Sequence, residues 1–88
     1  MSEEPDITRA LVRDWMANYI GQVLNLESRE GIADHPFSEL GMDSAEVVIM
    51  TGVMEEEFGF EIDAELPFTT PTINGLVDAL VEQKLLST

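Results

Sequence analysis

Apolar residues recur along this chain at helical spacing. From Ile7 they continue through Leu11, Val12, Trp15, Met16, Tyr19, Ile20, Val23 and Leu24, three and four apart, which is the stripe of an amphipathic helix. Asp6, directly after Pro5, is its expected N-cap. The period breaks between Asn25 and Asp43, where Gly31, Pro36 and Gly41 fall. That stretch reads as a long loop, pinned to the core by Ile32, Phe37 and Leu40. A second helix is expected from the Asp43-Ser44 pair to about Phe58, stopped by Gly59. Phe60 and Ile62 alternate with Glu61 and Asp63, but a strand without a partner leaves its backbone groups unpaired. A connector is therefore expected, with one short helical turn near Ala64 to Leu66 ended by Pro67. Thr72, after Pro71, caps a last helix whose stripe is Ile73, Leu76, Val77, Leu80, Val81 and Leu85. The fold class this predicts is all-α, a small bundle of three main helices plus one short helix.

Length and charge narrow the functions open to such a bundle. Eighty-eight residues hold one small core, so residues 1–88 are expected to form a single domain without a large catalytic cleft. Hydrophobic residues make up 44% of the chain, enough to fold despite its acidity. Eighteen Asp and Glu against four Lys and Arg give a net charge of -14, which repels nucleic acid and anionic membranes alike. With no cysteine, disulfides, thiolate catalysis and Cys-ligated metals are excluded. The opening Met-Ser-Glu-Glu-Pro lacks the basic and apolar regions of a secretory signal, and no apolar run nears the roughly 18 residues that span a bilayer. A cytoplasmic monomer is the expectation.

Catalytic constellations are scarce. The single histidine, His35, sits in the loop before Pro36 with no evident Ser-His-Asp arrangement around it, and reads as a surface residue. An EF-hand beginning at Asp34 fails because Pro36 and Ala45 occupy the third and twelfth ligand positions. No catalytic residue and no metal site is assigned. The segment Phe37-Ser38-Glu39-Leu40-Gly41-Met42-Asp43-Ser44 has a mechanical logic instead. Phe37 and Leu40 anchor it, Gly41 permits a sharp turn, Asp43 caps the next helix, and Ser44 is left at the first turn. Free N–H groups and the helix dipole at that position favour a phosphodiester carried on Ser44. Taken alone, an Asp-Ser pair ahead of an apolar run is only an N-cap.

Gly41-Met42-Asp43-Ser44, preceded by Phe37 and Leu40 and followed by Ala45-Glu46-Val47-Val48, resembles the phosphopantetheine attachment motif of acyl and peptidyl carrier proteins. Met54 to Ile62 resembles the end of that family's second helix, and Pro71-Thr72-Ile73 the start of its last, so the resemblance covers nearly the whole chain in order. It implies that a phosphopantetheinyl transferase moves the 4'-phosphopantetheine arm of coenzyme A onto Ser44, with Asp43 and Gly41 completing the attachment motif. Acyl groups then ride as thioesters on the arm. The chain would be a carrier and not an enzyme, presenting cargo to ketosynthase, acyltransferase-type or other acyl-loading enzymes. Leu66-Pro67-Phe68 ahead of Pro71-Thr72, and Met42 where many fatty-acid carriers have Ala, look more like polyketide and other specialised-metabolism carriers than fatty-acid or peptidyl ones. The reading from another class is an acidic interaction protein, to which Gly41-Met42-Asp43-Ser44 would be useless.

The second helix is too apolar for one buried stripe. At 100° per residue Val48, Thr51, Met54 and Phe58 share the expected core face, with Val47 and Met50 at its edges. Ala45, Ile49, Gly52, Val53 and Glu56 fall opposite, and with Glu46 on the rim they form the expected partner-binding face. Charge complementarity between the acidic helix and a basic partner would raise encounter rate, although the Glu55-Glu56-Glu57 run reads equally as a solvated face that keeps the protein soluble. An acyl chain on the arm is expected against Val47, Val48, Ile62 and Leu66.

Overall fold

The computed structural model describes residues 6–87, so the opening Met1 to Pro5 lies outside it. Five α-helices follow one another: α1 (Arg9–Val23), α2 (Phe37–Leu40), α3 (Ser44–Phe58), α4 (Leu66–Thr69) and α5 (Ile73–Glu82), with a 3₁₀ turn at Ile32–Asp34. The three main helices are those the periodicity predicts. No strand occurs among the described residues; the nearest approach is an isolated parallel bridge between Thr8 and Ser87.

That bridge explains why α1 starts later than expected. The Ser87 N–H donates to the Ile7 carbonyl at 2.9 Å and the Arg9 N–H to the Ser87 carbonyl at 2.8 Å, which holds Ile7 and Thr8 out of helical geometry. Thr8, not Asp6, is therefore the N-cap, its hydroxyl accepting the Leu11 N–H at 3.2 Å. At the other end α5 stops at Glu82, before Leu85.

The expected loop after α1 contains two short elements the periodicity missed, the 3₁₀ turn and α2. Neither is long enough to show a period; α2 is built on Phe37, buried, and ends at Gly41, whose φ of 102° is open only to glycine at low cost. The short helix after α3 also lies later than expected, at Leu66–Thr69. Pro67 lies in the first turn of α4, directly after Leu66, rather than ending a turn before it, because a first-turn residue needs no backbone N–H donor.

Val12, Met16 and Ile20 of α1, Met50 and Met54 of α3, and Ile73, Leu76 and Leu80 of α5 are fully buried. They form one core, in which α1 packs most extensively on α5. Leu11 and Val23, counted in the α1 stripe, are instead about half exposed. On α3 the buried line is Val47, Met50 and Met54, so the core face is rotated from the expected one and Val48 is 55% exposed. The rotation was invisible in the sequence because Val47, Val48, Ile49 and Val53 make α3 apolar nearly all round.

Aromatic packing closes the end of the bundle where α3 finishes. Trp15 stacks on Tyr19 at 5.2 Å and meets Phe58 edge-on at 5.6 Å, and Phe58 stacks on Phe60 at 5.8 Å. Such pairs add to area burial by about 0.5–1.5 kcal/mol each.

Candidate functional site

The opposite end of α3 carries the exposed serine. Asp43 Oδ1 accepts the Glu46 N–H at 2.8 Å, so the cap fixes the first turn and sets Ser44 as the first helical residue. The approach to this turn is held from three sides. The Met42 N–H donates to the Phe37 carbonyl at 3.0 Å, and the Phe37 N–H donates to the Pro71 carbonyl at 2.8 Å, tying α2 to the start of α5. Asn74 Nδ2 of α5 donates to Asp34 Oδ1 at 2.6 Å, and Leu24 at the end of α1 lies 3.9 Å from where a Cβ on Gly41 would stand. The Ser44 side chain itself accepts and donates no hydrogen bond among the described residues and is exposed.

Beside it opens a pocket of about 130 Å³. Phe37, Met42, Val47, Pro67, Phe68 and Pro71 supply its apolar walls, and Ser38, Asp43 and Ser44 its polar mouth. Met42 and Phe37 are each only 3% exposed. Among the expected acyl contacts the pocket gathers Val47 alone; Ile62 is buried in the core, Leu66 is half-buried against it, and Val48 faces solvent. Met42, Pro67, Phe68 and Pro71 join the site from outside the expected set, and the signal for them in the sequence is the Leu66-Pro67-Phe68 segment ahead of Pro71-Thr72.

The residues expected to form a docking row are on the surface, although the core face of α3 is rotated from the expected one. Ile49 is 58% exposed and Val53 37%, Ala45 and Glu56 are exposed, and nothing stands within 4 Å of a Cβ on Gly52. Glu46 at the rim is half-buried, one carboxylate oxygen lacking a partner among the described residues. Glu55 departs from the expected solvated run: its Oε2 accepts the Ile62 N–H at 2.8 Å. Among the cations, Arg9 is paired to Asp78 of α5 at 2.6 Å. His35 is exposed, its Nδ1 3.9 Å from Glu39.

The model of the phosphopantetheine attachment site family matches residues 14–80. The chain belongs to that family, the acyl carrier proteins. It is 37% identical over 59 residues to the acyl carrier protein TtuC of Teredinibacter turnerae, covering 67% of this chain and 68% of that one. It is 32% identical over 72 residues to a polyketide synthase of Aspergillus flavus, covering 82% of this chain but spanning only 6% of that protein's length. In fold it is similar to an acyl carrier protein from Anabaena sp. with a variant phosphopantetheinylation-site sequence, at a TM-score of 0.78 and 23% identity over 96% of each chain.

A 4'-phosphopantetheine group is the prosthetic group of this family, and the end of α3 suits one. An exposed hydroxyl stands at a helix N-terminus, where the dipole and first-turn N–H groups favour a phosphate, next to an apolar pocket that a Ser44-linked chain would reach. As an acyl carrier domain the chain has a use for that arrangement that the acidic interaction reading lacks. No helix of the described residues is long and apolar enough to cross a membrane.

Proposed function

We propose that this acyl carrier domain carries acyl intermediates on a 4'-phosphopantetheine arm attached to Ser44, within polyketide or related specialised lipid biosynthesis. The observation that carries the reading is the exposed, unengaged Ser44 hydroxyl at the first position of a 15-residue helix, inside the matched attachment region. When bound, the arm supplies the thiol on which acyl groups are held as thioesters. The chain's own residues hold that anchor still: Asp43 fixes the turn, Gly41 sets its entry, and the Phe37 to Pro71 bond ties it to α5. Neither a cysteine nor a base beside Ser44 is needed, because proton removal and sulfur come from the modifying enzyme and from the arm. The chain is then a substrate and shuttle, not an enzyme.

The polyketide setting is supported by the likeness to a polyketide synthase of Aspergillus flavus and by the apolar docking row. Ala45, Ile49, Gly52 and Val53, rimmed by Glu46 and Glu56, suit a ketosynthase or acyltransferase-type partner with an apolar contact surrounded by cations. Residues 1–88 form, in this reading, one monomeric, cytoplasmic domain whose first partner is a phosphopantetheinyl transferase. Where the arm folds back along α3, acyl cargo would meet the exposed Val48 first, and Val47, Ile62 and Leu66 only as those buried or half-buried positions open.

Mass spectrometry after incubation with coenzyme A and a promiscuous phosphopantetheinyl transferase tests the reading. The wild-type chain gains one arm. Ser44→Ala gains none yet keeps its melting temperature, because Asp43 still caps α3. A mass gain in Ser44→Ala equal to wild type ends the assignment.

A further inference from the structure

We propose that the pocket beside Ser44 seats the root of the arm, the branched pantoyl carbon with its two methyl groups, and so pins the arm's base while its thiol end stays free. The proposal rests on attachment of the arm at Ser44 and adds where the attached arm lies. Ser44 itself lines the pocket, and in phosphopantetheine only the phosphate and one methylene separate the serine oxygen from that branch point. The branch is thus the first apolar group within reach.

Its chemistry matches the walls. Met42, Val47 and Phe37, each 3% exposed, and the buried Pro67 present carbon and a thioether, with no buried charge to desolvate. A volume of about 130 Å³ compares with the cavity of about 150 Å³ that stays dry and accepts benzene, and a quaternary carbon bearing two methyls is no bulkier. Phe68 completes the fit. It is 51% exposed, a large ring left on the surface at the pocket's edge, and a methyl pair laid against it removes apolar surface from water.

Charge sets the orientation. The Asp43 carboxylate at the mouth is exposed and holds the Glu46 N–H, so a phosphodiester stays on the solvent side of it and the methyls turn inward. The two amides further along the arm find no polar partners among these walls and remain in water. Helical geometry makes the seat compatible with docking: Ile49 lies about 200° around α3 from Val47, so an arm rooted against Val47 leaves the Ile49 and Val53 face uncovered.

Loading the full chain from coenzyme A labelled with ¹³C at the geminal methyls tests this by NMR, with mass spectrometry recording attachment. Nuclear Overhauser contacts are expected from those methyls to the Phe68 ring, the Met42 methyl and Val47, with both methyl resonances moved upfield and apart by the ring. In Phe68→Ala the contacts to that ring are lost and the upfield displacement falls to what the Phe37 ring contributes. Phe68→Leu, which keeps an apolar edge and the fold, retains the contacts to Met42 and Val47 with the same reduced displacement. A full mass gain with freely averaged methyls, or with contacts to Ile49 and Val53 instead, overturns the seat and leaves attachment standing. No mass gain in the wild-type chain overturns both.

Discussion

Glu55 separates a structural carboxylate from its decorative neighbours. Its side chain accepts the Ile62 N–H at 2.8 Å, partly buried, while its backbone carbonyl accepts the Gly59 N–H at 2.9 Å. One residue thus closes the turn that lets the chain leave α3, with φ 76° at Gly59, and return Ile62 to the core. A hydrogen bond to a charged group contributes about 1.5–3 kcal/mol when buried; partial access to water lowers this to about 1–2 kcal/mol. For a domain of this size each 1 kcal/mol moves the melting temperature by about 4–8 °C. Glu55→Ala is therefore expected to melt about 4–16 °C below wild type. Glu55→Gln, which keeps a weaker neutral acceptor, should fall by about half as much. Losing one of many negative charges works the other way, and Glu56→Ala and Glu57→Ala, both exposed, measure that contribution at within about 0.5 kcal/mol. Thermal melts with amide exchange at Ile62 provide the assay. Equal melting temperatures for Glu55→Ala and Glu56→Ala, or unchanged protection at Ile62, would refute the reasoning.

Three further outcomes are expected. Gly41→Ala forces a side chain into φ 102° at about 1–2 kcal/mol, and calorimetry should show the loss with modification at Ser44 slowed; an unchanged melt shows that the turn relaxes freely. Ile49→Glu should leave the melting temperature nearly constant, since Ile49 is 58% exposed. It should weaken the holo protein's reaction with its acyl-transferring partner about five- to thirtyfold, because the exposed part of an isoleucine is worth about 1–2 kcal/mol on burial; unfolding, or unchanged KM and kcat, counts against the docking row. Raising salt from low to moderate concentration should raise the melting temperature by a few degrees, because screening relieves self-repulsion at a net charge of -14, and a flat or falling trend shows that repulsion is not limiting.

The parts of the fold legible in sequence are those governed by a repeated pattern or a single strong residue. The bodies of α1, α3 and α5, the Asp43 and Thr72 caps and the Gly59 stop all follow from local rules. What was not legible depends on distant partners. Thr8 replaces Asp6 as cap only because Ser87, at the far end of the chain, engages the residues on either side of it. The phase of α3 is fixed by which of several equivalent valines meets α1 and α5, and no spacing within α3 distinguishes Val47 from Val48. At the site, Ser44 and the exposed Ile49 and Val53 lie on one helix, and their exposure could be read from it. The pocket is assembled from α2, α3, α4 and the start of α5, so its walls were scattered along the sequence, and Glu55 hid among identical neighbours.

A carrier must satisfy two demands that pull in opposite directions: the attachment residue must be open to enzymes from solvent, and its position must not wander. An exposed serine on a long loop meets the first alone, and a buried one only the second. Here the two are assigned to different residues. Ser44 has the exposure, while Phe37, Met42 and Pro71 behind it have the burial or the backbone bonds. Rigidity reaches the serine through the Asp43 cap, so its side chain is free to react although its backbone is fixed. The same division accounts for the chemistry of α3. Its inward line of Val47, Met50 and Met54 anchors the helix to the core, which leaves Ile49 and Val53 available to a partner without loss of stability. Affinity can thus be altered at Ile49 and Val53, and the proposed seat of the arm at the exposed Phe68, with neither change reaching the core that keeps Ser44 in place.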